Sequence, residues 1–262
     1  MSEFGIDVTR AGGVAWLALR NPARLNAVRL EMWQGIPGIV EGLAADASVR
    51  VLVMRGAGEE AFASGADISE FRTHRSDAAS AAAYEETTAR AFEALLGCEK
   101  PLVAMVHGVC IGGGLALAAS ADLRLAADDA RFALPAARLG LGYHYAGVER
   151  LVQLLGPSAA AEVFFTARRY TADEALRIGL VNRVVPRAEL ETFTAGYAAE
   201  IAANAPLTLR AAKRAIVESQ REPTRRDLET VRTLIAACFA SADYAEGVRA
   251  FLDKRTPAFR GV

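Results

Sequence analysis

Apolar residues recur along this chain at two spacings, and the change between them marks its elements. Residues 13–19 and 50–55 are short apolar runs, the second closed by Gly56, and both read as strands. The apolar run at 102–106 reads as a buried strand. The alternation of polar and apolar residues over 122–126 predicts a half-buried one. Between them, 30–43 carries apolar residues at helical spacing, 79–96 is an alanine-rich helix, and 115–120 is a shorter helix-prone run. Strands separated by helices of this length imply parallel pairing through crossover connections. After Gly142 the pattern turns to helix upon helix. Thr171-Ala172-Asp173-Glu174 has the form of a capping box. Residues 207–218, 226–240 and 244–251 form three amphipathic segments, whose apolar faces need another surface to cover them.

The densest chemical signal lies where the 102–106 strand ends: His107-Gly108-Val109-Cys110-Ile111-Gly112-Gly113-Gly114-Leu115-Ala116. Glycines between a strand and a helix let another molecule approach the backbone closely. They also leave the first helical N–H groups pointing outward with the dipole behind them, a place to hold a negative oxygen. A second glycine-containing turn, Phe62-Ala63-Ser64-Gly65-Ala66-Asp67-Ile68, and a third segment, Asn21-Pro22-Ala23-Arg24-Leu25-Asn26-Ala27, precede it.

In this order and spacing, with Ala250-Phe251-Leu252-Asp253-Lys254-Arg255 near the end, these segments resemble the crotonase (enoyl-CoA hydratase/isomerase) superfamily over nearly the whole chain. The resemblance implies an α/β fold with a ββα spiral core over 1–205. It also implies a helical oligomerisation region over 206–262, associating as a trimer or a dimer of trimers. It implies a coenzyme A thioester as substrate, with no permanently bound cofactor and no metal. The thioester oxygen would lie between the backbone N–H groups of Ala66 and Gly113. Arg24 would reach a CoA phosphate, and Ala27, Ala63, Asp67 and Ile68 would line the adenine pocket. Phe251 and Lys254 match a position that reaches a neighbouring subunit's CoA.

The chain departs from the family where its hydratases carry two glutamates. Ala116 stands at the first of these positions and Ala136, after Pro135, at the second. A methyl group transfers no proton, and hydration needs both a base and an acid. The segment Leu139-Gly140-Leu141-Gly142-Tyr143-His144-Tyr145-Ala146-Gly147 supplies other polar groups, and Tyr143 and His144 are the candidates for proton transfer. Its Leu-Gly-x-x-Tyr pattern is similar to malonyl-type acyl-CoA decarboxylases of the superfamily. Three readings follow: an enzyme of the hydratase/isomerase family, a decarboxylase of malonyl-type thioesters, and a silent acyl-CoA binder. The same aromatic residues also read as an acyl-pocket wall, Glu149 as a solvated helix residue, and His107 as a hydrogen-bonded strand-end histidine.

Composition narrows the partners. With 30 basic and 31 acidic residues, nothing in the charge balance favours nucleic acid or an anionic membrane. The 3 scattered cysteines make no metal spacing and no disulfide framework. The first residues lack the basic-then-apolar pattern of a secretion signal, and no apolar run reaches spanning length, so a soluble cytoplasmic protein is expected.

Overall fold

The computed structural model describes residues 4–74 and 76–262. It opens with a hairpin, β1 (Gly5–Ala11) against β2 (Val14–Arg20), turned by Gly12 and Gly13. Next come α1 (Leu30–Ala45), β3 (Val51–Gly56), β4 (Ala61–Ala63), the single turn α2 (Phe71–His74) and α3 (Ala78–Gly97). They are followed by β5 (Leu102–Val106), β6 (Val109–Ile111), α4 (Gly113–Ser120), β7 (Leu123–Ala127) and β8 (Arg131–Ala133). After these lie α5 (Tyr145–Thr166), β9 (Tyr170–Thr171), α6 (Ala172–Arg177) and β10 (Arg183–Val185). The chain closes with α7 (Leu190–Ala203), α8 (Pro206–Ser219), α9 (Leu228–Phe239) and α10 (Ala242–Leu252).

One unit recurs three times: a strand of a large sheet, a short strand of a small sheet, then a helix. It runs β3-β4-α3, β5-β6-α4 and β7-β8-α5. The large sheet has the order β1-β2-β3-β5-β7-β10, parallel except for β1, and the small sheet β4-β6-β8-β9, parallel except for β9. This is the expected ββα spiral. Strand alternation divides the core into two layers. Leu52 and Met54 face α1, α3 and α4, whereas Val51 and Val53 face α7. The capping box forms as predicted: the Glu174 N–H donates to Thr171 Oγ1 at 3.2 Å, and the Thr171 N–H donates to Glu174 Oε2 at 2.8 Å.

Two expectations need correction. The 122–126 stretch is not half-buried. Its alternation is broken by Arg124, which is 3% exposed in the middle of the sheet. The guanidinium is satisfied by the carbonyls of Leu180 and Ala121, each at 2.7 Å, so a charged residue occupies an interior position without an orphaned donor. Its neighbour Asp122 accepts from the Leu102 N–H and from Lys213 Nζ, both at 2.7 Å, tying β5 to α8.

The second correction concerns His107, which follows β5. It is 1% exposed, and neither ring nitrogen meets a partner at full hydrogen-bond geometry among the described residues, the Gly58 backbone making only a weak contact. Burial, helped by the positive Arg187 nearby, pushes its pKa down to about 4. Between that value and the ordinary value near 6.5, the unfolded chain binds a proton that the folded chain refuses. The stabilisation is therefore present above pH 6.5 and is lost as the pH falls toward 4, up to about 3 kcal/mol in all. Denaturant titrations at pH 7 and pH 4.5 check this. His107→Gln should lose less stability than the wild type over that interval, and equal losses would show that His107 is not responsible.

Candidate active site

Two turns converge at one end of α4. In the first, Gly65 at φ +112° reverses the chain after β4. The turn is clamped to the preceding loop on both sides of Ala66: the Val28 N–H donates to the Gly65 carbonyl at 2.7 Å, and the Asp67 N–H to the Val28 carbonyl at 3.0 Å. That loop is itself anchored by Asn26, which is 1% exposed. Asn26 donates to the carbonyls of Ala57 and Ala61, both at 2.8 Å, and accepts from the Asn21 N–H at 3.1 Å. In the second turn, Gly112 at φ +56° redirects the chain from β6 into α4, of which Gly113 is the first residue.

A methyl placed on Gly113 would stand 3.3 Å from the Ala66 nitrogen. Within one residue, N and Cβ are about 2.5 Å apart, so the Ala66 and Gly113 nitrogens are no more than about 6 Å apart. Neither N–H has an acceptor among the described residues. Donors at such a separation can share one oxygen at about 2.9 Å from each, and the Gly113 amide adds the positive end of the α4 dipole.

Both amides belong to residues lining a cavity of about 130 Å³, with Trp33, Phe92, Ala116, Ala136, Tyr143 and His144 also on its wall. Ala116 and Ala136, where the family resemblance leads one to expect glutamates, both line this cavity. Tyr143 packs edge-on against Phe164, with ring centroids 5.2 Å apart, and burial pushes its phenol pKa up to about 12. It is thus a neutral hydrogen-bond donor at physiological pH rather than a base. His144 sits beside it at the start of α5, with ring centroids 5.8 Å apart.

The remaining candidates are placed less uniformly. Ile68 lies on the same cavity wall and is 60% exposed. Asp67 is buried, and its carboxylate accepts from the Ser69 N–H at 3.0 Å and the Ser69 hydroxyl at 2.6 Å, which makes it a cap of the short turn that follows. Ala27 and Ala63 are buried, Ala63 directly beneath Gly114. Arg24 is exposed on the turn that carries Ser64's partner carbonyl. Phe251 and Lys254 lie at the end of α10, where Phe251 borders a separate groove formed by α8, α9 and α10. Glu149 is exposed and accepts from the Tyr145 hydroxyl at 3.4 Å.

Sequence reasoning missed the wall supplied by α1 and α3: Trp33, Glu85, Thr88 and Phe92. The signal was present as helical spacing, since Glu85, Thr88 and Phe92 share one face of α3. Cys110, three residues ahead of Gly113, is fully buried, and burial pushes its thiol pKa up. Among the described residues no three His, Cys, Asp or Glu side chains are grouped to hold a metal, and no helix is long and apolar enough to cross a membrane.

Comparison with known proteins agrees with this architecture. The family model for enoyl-CoA hydratase/isomerase matches residues 9–262. The chain belongs to the enoyl-CoA hydratase/isomerase family. A relative within it, the short-chain-enoyl-CoA hydratase of Clostridium acetobutylicum, is 33% identical over 255 residues, covering 97% of each chain. The 2,3-dehydroadipyl-CoA hydratase of Escherichia coli is 34% identical over 261 residues, covering 100% of each. Among solved structures of the family, an enoyl-CoA hydratase/carnithine racemase from Magnetospirillum magneticum superposes with a TM-score of 0.94. It is 37% identical and covers 100% of this chain and 97% of its own.

Proposed function

We propose that this enzyme binds an acyl-CoA with its thioester oxygen between the amides of Ala66 and Gly113, and works by stabilising the enolate that forms there. The observation that carries this reading is the pair of acceptor-free N–H groups, within about 6 Å of each other, on the wall of a largely apolar cavity. Negative charge develops on the oxygen only as the reaction proceeds, so fixed donors lower the barrier more than they tighten substrate binding. Tyr143 serves as the proton-bearing group at the acyl carbons, with His144 beside it. Arg24 meets a CoA phosphate, and Ala27, Ala63, Asp67 and Ile68 surround the adenine.

Residues 206–262 form the oligomerisation region, and Phe251 and Lys254 reach a neighbour's CoA in a trimer or dimer of trimers. The exposed apolar side chains of Phe239, Val248, Phe251 and Leu252 support that role. The chemistry needs no resident cofactor, and the setting is cytoplasmic.

Ala116 and Ala136 favour a second, narrower reading, decarboxylation of a 2-carboxyacyl-CoA. In that reaction the electrons of the breaking C–C bond pass into the thioester and CO₂ departs. Tyr143 then gives its proton to C2 and recovers one from solvent, and no carboxylate base is required. Incubation with crotonyl-CoA and with methylmalonyl-CoA, following absorbance and CO₂ release, separates hydration from decarboxylation. Turnover of neither, together with undiminished acyl-CoA binding, would leave a binder without catalysis. For whichever reaction runs, Tyr143→Phe should lower kcat about 100-fold with a smaller change in KM. An unchanged kcat would reduce Tyr143 to an aromatic wall.

A further inference from the structure

A second cavity of about 100 Å³ adjoins the one that holds the two amides, and Phe92, Ala116, Tyr143 and His144 wall both. Ala116 is three residues beyond Gly113 on α4, so its methyl lies on the helix face that carries the amide. It therefore stands at the neck between the two spaces. A longer side chain there would fill the neck. On the opposite side, Gly147 keeps it open in another way: a Cβ at that position would come within 2.4 Å of the Tyr143 ring, so glycine lets the ring lie back against α5.

Beyond the neck the wall is mainly hydrocarbon, from Ala89, Leu96, Ala119, Ala146 and Leu151. The polar groups at its margin are largely engaged. The Ser120 hydroxyl donates to the Ala116 carbonyl at 2.9 Å. Arg150 donates through Nε to the Ala119 carbonyl at 2.7 Å and through Nη2 to the Ala121 carbonyl at 3.1 Å. Glu93, also at this margin, offsets the positive charge of Arg150, so the margin carries one charge of each sign and no net attraction for an anion. No Lys or Arg among the described residues lines the first cavity, so an acyl group with a distal carboxylate would shed water along the way without a partner.

We infer that the second cavity is the subsite for an uncharged hydrocarbon tail, and that the preferred substrates are acyl-CoA thioesters whose chain passes Ala116 and continues several carbons past C4. This rests on the thioester oxygen lying at Ala66 and Gly113. At ~30 Å³ per methylene, close to the share of one water in the liquid, the cavity takes about three or four methylenes. Each one buried strengthens binding about four-fold.

Calorimetric titration of the intact protein with saturated acyl-CoAs from acetyl to dodecanoyl tests the inference. Affinity should climb about four-fold per methylene from butyryl to about octanoyl and then level off. Hexanoyl-CoA should bind more tightly than adipyl-CoA. Ala89→Leu and Ala146→Phe, substitutions at half-buried and exposed positions that leave the core undisturbed, should bring the octanoyl-to-butyryl ratio close to one. A flat series beyond butyryl, tighter binding of adipyl-CoA, or a ratio untouched by either substitution would overturn the tail subsite while leaving the amide pair in place. If no acyl-CoA bound at all, the amide-pair reading would fall and the subsite with it.

Discussion

Replacing Gly113 by alanine is expected to lower kcat by about 100- to 1000-fold while leaving the fold nearly as stable as before. The added methyl would stand 3.3 Å from the Ala66 nitrogen and 3.2 Å from Cζ2 of Trp33, in the space where an oxygen must sit to meet both amides. Loss of one such donor typically raises the barrier by about 3–4 kcal/mol. The crowding itself is mild, a few tenths of an ångström, and the better helix propensity of alanine offsets it by up to about 1 kcal/mol. Single-turnover rates and a melting curve on the same preparation check the two halves of this expectation. A variant that turned over at the wild-type rate would remove the oxyanion role from this turn.

Gly114→Ala, one residue further on, should do the opposite: unfold first. A methyl there would lie 2.3 Å from the Ala63 carbonyl oxygen and 2.8 Å from the Ala63 Cβ. Neither neighbour is the free end of a side chain, so α4 and β4 must separate. Overpacking of this kind costs about 3 kcal/mol or more, which for a chain of this size lowers the melting temperature by about 10 °C. Calorimetry without ligand reads it directly, and coincident wild-type and variant transitions would show that β4 yields more easily than its position under α4 implies. The two glycines thus separate by measurement, Gly113 through rate and Gly114 through melting.

The parts of this architecture that were legible in the sequence are those with long periods. The helix over 30–43, the alanine-rich helix over 79–96, the parallel strands and the three terminal helices all matched within a few residues. The small sheet was not legible, because β4, β6 and β8 are three residues each and β9 two, too short for any alternation to register. β1 escaped for a different reason: Asp7, Thr9 and Arg10 make it polar, as an edge strand can be. Arg124 misled because a charge at an interior position reads as a solvent-facing one until its carbonyl partners are known. Asn26 was visible only as part of the 21–27 segment; its anchoring hydrogen bonds were not, since an asparagine beside a proline-containing loop looks like ordinary turn chemistry. At the site, the glycine runs were visible, whereas the α3 wall, although Glu85, Thr88 and Phe92 recur at helical spacing, was masked by the alanines around them.

The buried thiol in β6 has a practical consequence. Cys110 lies within a few residues of the turn on which the chemistry is proposed to depend, yet it is fully enclosed and stays protonated, because burial raises its pKa. The nucleophilic form of sulfur is the thiolate. Alkylating reagents and mild oxidants should therefore pass this cysteine by in the native enzyme, so modification at Cys110 would serve as a clock for opening of the core around β6 rather than as a probe of catalysis.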